Sequence, residues 1–407
     1  MFRLFISNSE ASIDRTGHWP FLRRILTFLF PFVLIGLTME IALWKTGDTW
    51  SPRSALIHQQ QSSTESIYGP RFFSDQFNIF KLSGIQHRQP TIITIGSSRV
   101  MQIRDIMFHP LEQEFYNGGG LLRNAFDLQA FADMLTQEEL PLPKVLIAGI
   151  DPWWLRTNYG KATWLNDTDE RYSFAGHIEA FRQILKKSAV QQVLTATSSF
   201  ESPGFGYDAI GTYARIEGTG FRQDGSNLYP SKVFREFMES PVYVDRESPA
   251  IIDRIRMTER EFSLPAVIDE ERVKIIVDAL SLMKRKGIEV IAFMPPFSTE
   301  AYEALEHSQP LSQWWDYYTH AFPALLKTHQ ITVVEVSHPA QFQLNDTAMF
   351  DGWHPSEVYI AHIVKKMIES LPASSYLNTT ERDHLTTLTQ EAESPLAFHM
   401  PQRTTTH

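Results

Sequence analysis

Five short runs, mostly apolar and rich in β-branched residues, recur between residues 91 and 336. They are Thr91–Ile95 (TIITI), Glu114–Asn117 (EFYN), Lys144–Ile150 (KVLIAGI), Ile288–Met294 (IEVIAFM) and Ile331–Val336 (ITVVEV). The first four stop at turn residues: Gly96, Gly118-Gly119-Gly120, Asp151-Pro152 and Pro295-Pro296. Short apolar runs bounded in this way fit strands buried on both faces. Helical periodicity lies between them, at 124–135, 269–286 and 311–327. A further helix follows Pro355, with Val358, Ile363, Val364 and Met367 on one face. Strands alternating with helices predict an α/β fold whose central parallel sheet carries crossovers on both faces.

A different run stands near the start. Residues 25–44 read ILTFLFPFVLIGLTMEIALW, apolar on every face and long enough for a bilayer core. Its single charge, Glu40, falls near one end. Pro31 is tolerated in a membrane helix, and Trp44 suits the interface. Arg23 and Arg24 abut the N-terminal side, with Arg3 and Arg15 before them. The expected topology is a cytoplasmic segment at 1–24, a transmembrane anchor at 25–44 and everything later outside the cytoplasm, periplasmic or extracellular. A cleaved secretory signal fits less well, because the run is long and no small-x-small site comes after it.

The remainder divides by composition. Residues 45–88, with the tract QQQSSTES, read as a linker, and 89–372 as the main domain. Within it, about 195–265 breaks the alternation and is rich in glycine, serine, proline and aromatics. It reads as an insertion capping or bordering a site. Residues 373–407 read as a polar, largely disordered tail. The net charge of −10 argues against nucleic-acid binding. The absence of cysteine removes disulfides, thiolate metal sites and a cysteine nucleophile. Histidines such as His177 and His362 lack metal-ligand spacing, so no metal or organic cofactor is expected.

Two motifs carry candidate chemistry. Ser98 follows the first run on the turn Gly96-Ser97-Ser98-Arg99. A serine at a strand's carboxyl end can attack a bound carbonyl, but it can equally cap a turn. Val100 stands where a hydrolase elbow of the G-x-S-x-G kind needs glycine, and no phosphate-loop lysine comes after it. Near the end comes Asp351-Gly352-Trp353-His354-Pro355. A carboxylate three residues before a histidine can hold its Nδ1–H and leave Nε2 to take a serine proton. The same pair can also cap the next helix.

Taken together, these motifs resemble the blocks of SGNH hydrolases. Gly96-Ser97-Ser98 is similar to the first block, with Ser97 in place of the usual aspartate. Asn117-Gly118-Gly119 is similar to the second, and Asp351 with His354 to the fifth. The resemblance implies a three-layer sandwich and a triad of Ser98, His354 and Asp351. It also implies an oxyanion site drawing on Gly118 or Gly119 beside Asn117. One block departs: Asp151 stands where the family supplies an asparagine amide. A narrower resemblance, through Arg99, Arg104-Asp105, His109-Pro110 and Asp151-Pro152-Trp153-Trp154, is to D-alanyl transfer proteins. It extends to anchored SGNH proteins that work beside a membrane-bound O-acyltransferase. That implies acyl transfer or ester hydrolysis on a cell-surface polysaccharide of the cell envelope, with such a transferase as partner. A non-catalytic SGNH-like scaffold and a lipase-like esterase remain alternatives. Trp153 and Trp154 can stack on substrate or pack internally. Arg99 can bind an anion or pair with a carboxylate. Arg222 and Asp224 can shape the cap.

Overall fold

The computed structural model describes residues 18–71, 77–160, 163–165, 196–197, 206–242, 250–377 and 379–399. All five expected strands form one parallel sheet. They are β2 (Ile92–Gly96), β3 (Phe115–Gly119), β4 (Val145–Gly149), β8 (Glu289–Phe293) and β9 (Thr332–Val334), in the spatial order β3-β2-β4-β8-β9. Successive side chains point to opposite faces, and both faces are apolar. Ile92, Val145, Ile147, Ile291, Phe293 and Val334 pack on one side, against the helix Glu357–Glu369. Ile93, Ile95, Leu146, Ala148 and Val290 pack on the other, against Ala125–Thr136 and Glu270–Arg285. Burial on both faces is why these strands read as continuous runs rather than alternating ones.

The helix expected at 311–327 is interrupted. Its middle, Tyr317–Ala321, widens to a π-turn in which the Phe322 N–H reaches the Tyr317 carbonyl. Pro323 comes next and has no N–H to donate into the preceding turn.

The apolar run forms one long helix, α1 (His18–Thr46), long and apolar enough to cross a membrane. Where described, the segment beyond it is folded and is not the expected linker. Ser51 caps the helix Pro52–Gln61, and Ser66–Tyr68 forms β1. That strand pairs with β5 (Asp208–Ile210) and β6 (Gly220–Phe221), while β6 pairs with β7 (Asn227–Leu228), giving a second sheet in the order β5-β1-β6-β7. The polar tract misled because its amides serve the backbone. Buried Gln59 donates to the Ser66 and Phe221 carbonyls, and Gln60 to the Gln223 carbonyl. Buried polar groups matched in this way look, in sequence, like solvated ones. The insertion supplies β5, β6 and β7; its parts at 195, 198–205 and 243–249 lie outside the described residues, as do Arg3, Arg15 and His177.

Asp48 fastens α1 to this second sheet. Fully buried, it accepts from the Arg71 N–H at 2.8 Å, the Thr212 N–H at 2.7 Å and the Thr46 hydroxyl at 2.7 Å, as well as from the Thr212 hydroxyl. Removing a carboxylate with these donors costs roughly 3 kcal/mol. Asp48→Ala should therefore let 47–71 open to trypsin at Arg53 or Arg71, read by limited proteolysis and terminal sequencing. The parent chain should resist there.

The tail is also ordered where described. The helix Thr379–Gln390 packs on Glu357–Glu369 through Leu385, and Leu377, Leu396 and Phe398 are buried. Ser356 Oγ donates to the Pro395 carbonyl at 2.7 Å. The stretch reads as polar because few apolar residues, widely spaced, make this contact. Residues 400–407 lie outside the described residues.

Candidate active site

β2 leads directly to Ser98. Gly96 ends the strand at φ +152°, where a Cβ would meet Val100 Cγ1 at 2.9 Å and the Gly149 carbonyl at 3.0 Å. The glycine is thus required by both backbone and space. Ser97 then caps a single 3₁₀ turn, Ser98–Val100, accepting from the Arg99 N–H at 3.3 Å. Ser98 opens that turn and is exposed. The chain goes from β2 to β3 on one side and returns to β4 on the other. Ser98 therefore stands at the sheet's topological switch point, where crossovers diverge and leave a crevice.

His354 reaches this point from the far end of the chain. Its Nε2 lies 2.9 Å from Ser98 Oγ, and its Nδ1 lies 2.6 Å from Asp351 Oδ2. The other oxygen of Asp351 accepts from the Trp353 N–H at 2.9 Å and the His354 N–H at 2.8 Å. The three-residue spacing thus closes on itself, and one carboxylate fixes both the ring and its backbone. Burial pushes the Asp351 carboxyl up, but the His354 charge and these donors outweigh it and hold it below its ordinary value. The relay from hydroxyl to imidazole to carboxylate is complete without substrate.

Arg99 is a clamp rather than a surface cation. It is 1% exposed. Nη1 meets Asp151 at 3.0 Å, Nε donates to the Trp353 carbonyl at 3.0 Å, and Nη2 donates to the carbonyls of Pro295, at 2.6 Å, and Pro296. Its plane lies over Phe297, 4.1 Å from the ring centroid. One guanidinium therefore ties the Ser98 turn to the His354 loop and to the ends of β4 and β8. Asp151 is consequently neither an oxyanion donor nor a surface-facing group. It is fully buried beneath the site, and burial raises its carboxyl above the ordinary value despite Arg99.

The expected oxyanion donors are differently engaged. The Asn117 side chain points into the fold. Its amide donates to the Val100 and Ile103 carbonyls at 2.9 and 2.7 Å, and its Oδ1 accepts the Gly119 N–H at 2.6 Å. Gly118 is held in the ladder opposite Ile95. Neither asparagine nor Gly119 N–H is available to substrate in this arrangement. Asn117 instead holds the loop after Ser98 in place. Among the described residues, the Ser98 N–H makes no hydrogen bond. Behind Asn117, the Lys81 ammonium donates to the Asn117 carbonyl at 2.9 Å, and burial pushes it down to about 7 against the pull of Asp224.

The two tryptophans part company. Trp154 is wholly buried in the core, whereas Trp153 lines a cleft of about 230 Å³ with Ser98, Arg123, Tyr159, Glu261 and Trp353. A second cleft, about 520 Å³, also reaches Ser98 and is lined by Tyr68, Met101, Tyr213 and Phe221. Sequence reasoning missed most of these residues, which carry no spacing signal; the fold alone brings them to Ser98. Arg222 and Asp224 lie deeper. Arg222 pairs with Glu357 at 2.6 Å, and Glu357 also pairs with Arg104 at 3.1 Å, so the insertion is bolted to the helix after His354. Asp224 accepts from Ser226 and from the Asp105 N–H. Among the described residues no group of three or more histidine, aspartate and glutamate side chains is placed to hold a metal. No family model matches the chain. A search of curated proteins likewise finds no match.

Proposed function

We propose that the chain is a membrane-anchored acyltransferase or esterase of the SGNH type, built as a three-layer sandwich and acting outside the cytoplasm on a cell-surface polymer. The observation that carries this reading is the Ser98–His354–Asp351 relay at the switch point of the sheet, with both contacts within hydrogen-bond reach. Ser98 Oγ attacks an ester or thioester carbonyl while His354 Nε2 takes its proton. The new Oγ–C bond forms as the carbonyl opens to an oxyanion, which the Ser98 N–H faces. Collapse breaks the donor's C–O or C–S bond, and His354 returns the proton to the leaving group. A polymer hydroxyl or water then reverses the steps, freeing Ser98. Asp351 stays ionised and stabilises the imidazolium throughout.

The engaged Gly119 N–H and the buried Asp151 favour a second reading, a non-catalytic SGNH-like scaffold beside a membrane O-acyltransferase. Fluorophosphonate labelling of the full chain in membranes separates the two. The catalytic reading expects labelling mapped to Ser98 and lost in His354→Ala. A folded chain that does not label would make it the scaffold. Asp351→Asn should keep the geometry but misplace the imidazole proton, lowering turnover about 10³- to 10⁴-fold. Near-full activity would show that the carboxylate does not act through His354.

A further inference from the structure

Ser98 borders two clefts of unlike chemistry, and the larger is tied to the end of α1. The larger is walled by Tyr68, Pro70, Met101, Tyr213 and Phe221, and among the described residues Arg71 is its one charged lining residue. The smaller carries Arg123 and Glu261 among its aromatics. The larger cleft is also fixed in position relative to α1. Asp48, two residues beyond the end of that helix, holds the Arg71 and Thr212 N–H groups, and the neighbouring Pro70 and Tyr213 line the cleft.

The geometry points to the larger cleft as the binding site for the acyl chain of the donor, presented to Ser98 from the membrane side. The inference rests on the acyl-transfer reading above and adds where the acyl chain lies. An apolar chain entering there passes from the end of a membrane helix into an apolar wall and ends at the nucleophile. The smaller, charged and aromatic cleft is left for a hydroxyl-bearing acceptor. An acceptor seated there excludes water from the acyl-serine while the chain stays in place.

Alkyl fluorophosphonates of increasing chain length test this on the full chain in detergent or membranes. The site of labelling is mapped to Ser98, and the shortest reagent is the internal reference for each variant. The labelling rate should rise roughly threefold to fourfold per methylene until the cleft is filled. Tyr213→Ala should reduce the ratio of long-chain to short-chain rate, and Tyr213→Glu should reduce it tenfold or more. One rate for all lengths would leave the triad standing and overturn the cleft assignment. Loss of length preference in Glu261→Gln but not in Tyr213→Glu would place the chain in the other cleft and overturn it equally. Failure of even the shortest reagent on a folded chain would instead remove the acyl-transfer reading itself.

Discussion

Ser98→Ala should reduce turnover of an activated ester by about 10⁵- to 10⁶-fold, and His354→Ala should cost nearly as much. In the proposed mechanism the two side chains work as a unit: without His354 nothing takes the hydroxyl proton, and without Ser98 no acyl-enzyme forms. The double variant should therefore be hardly worse than either single one. Neither change should disturb folding, because Ser98 is exposed and His354 is held from its backbone as well as its ring. Steady-state rates with matched circular dichroism spectra check this. Additive losses would show that the two residues act separately.

Arg99→Met should have the largest effect on stability. It leaves Asp151 charged and buried without its partner, and strips donors from the carbonyls of Trp353, Pro295 and Pro296. Breaking one partner of such a pair costs about 3–5 kcal/mol, a fall of roughly 10 °C in Tm for a domain of this size. Arg99→Lys keeps the charge but cannot fork to the same acceptors, so it should recover only part of the loss. Adding Asp151→Leu to Arg99→Met should also restore part, because the uncompensated charge is gone. Thermal unfolding of the set reads the result. A Tm within 2–3 °C of the parent for Arg99→Met, well under the roughly 10 °C expected, would mean that water reaches Asp151.

The contrast between what the sequence reveals and what it hides has a physical basis. β2, β4 and β8 are legible because a strand buried on both faces must be apolar throughout, whatever its neighbours. Asp351 and His354 are legible because their contact is local: three residues, one turn of chain. Ser98 joins them through the chain order of the motifs. The second sheet is hidden because its strands are two or three residues long, and because Gln59 and Gln60 are polar residues used internally. The order in the tail is hidden because it rests on a few spaced contacts such as Leu385 and Phe398. Arg99 illustrates the limit most sharply. Its position beside Ser98 suggests a carboxylate partner, but nothing local in sequence reports that its other donors reach carbonyls some 200 and 250 residues away. Asn117 and Gly119 stand two residues apart, yet nothing in their spacing reports that the Asn117 amide turns inward to the Val100 and Ile103 carbonyls while its oxygen takes the Gly119 N–H.

Direct trapping of the acyl-enzyme tests the triad most closely. The full chain, mixed with an activated short-chain ester and quenched in acid within the first turnover, would be digested and mapped by mass. The relay predicts one acyl group on the peptide containing Ser98, absent in Ser98→Ala and in His354→Ala. An acyl group on another residue, or none on a folded chain that still turns the ester over, would contradict it.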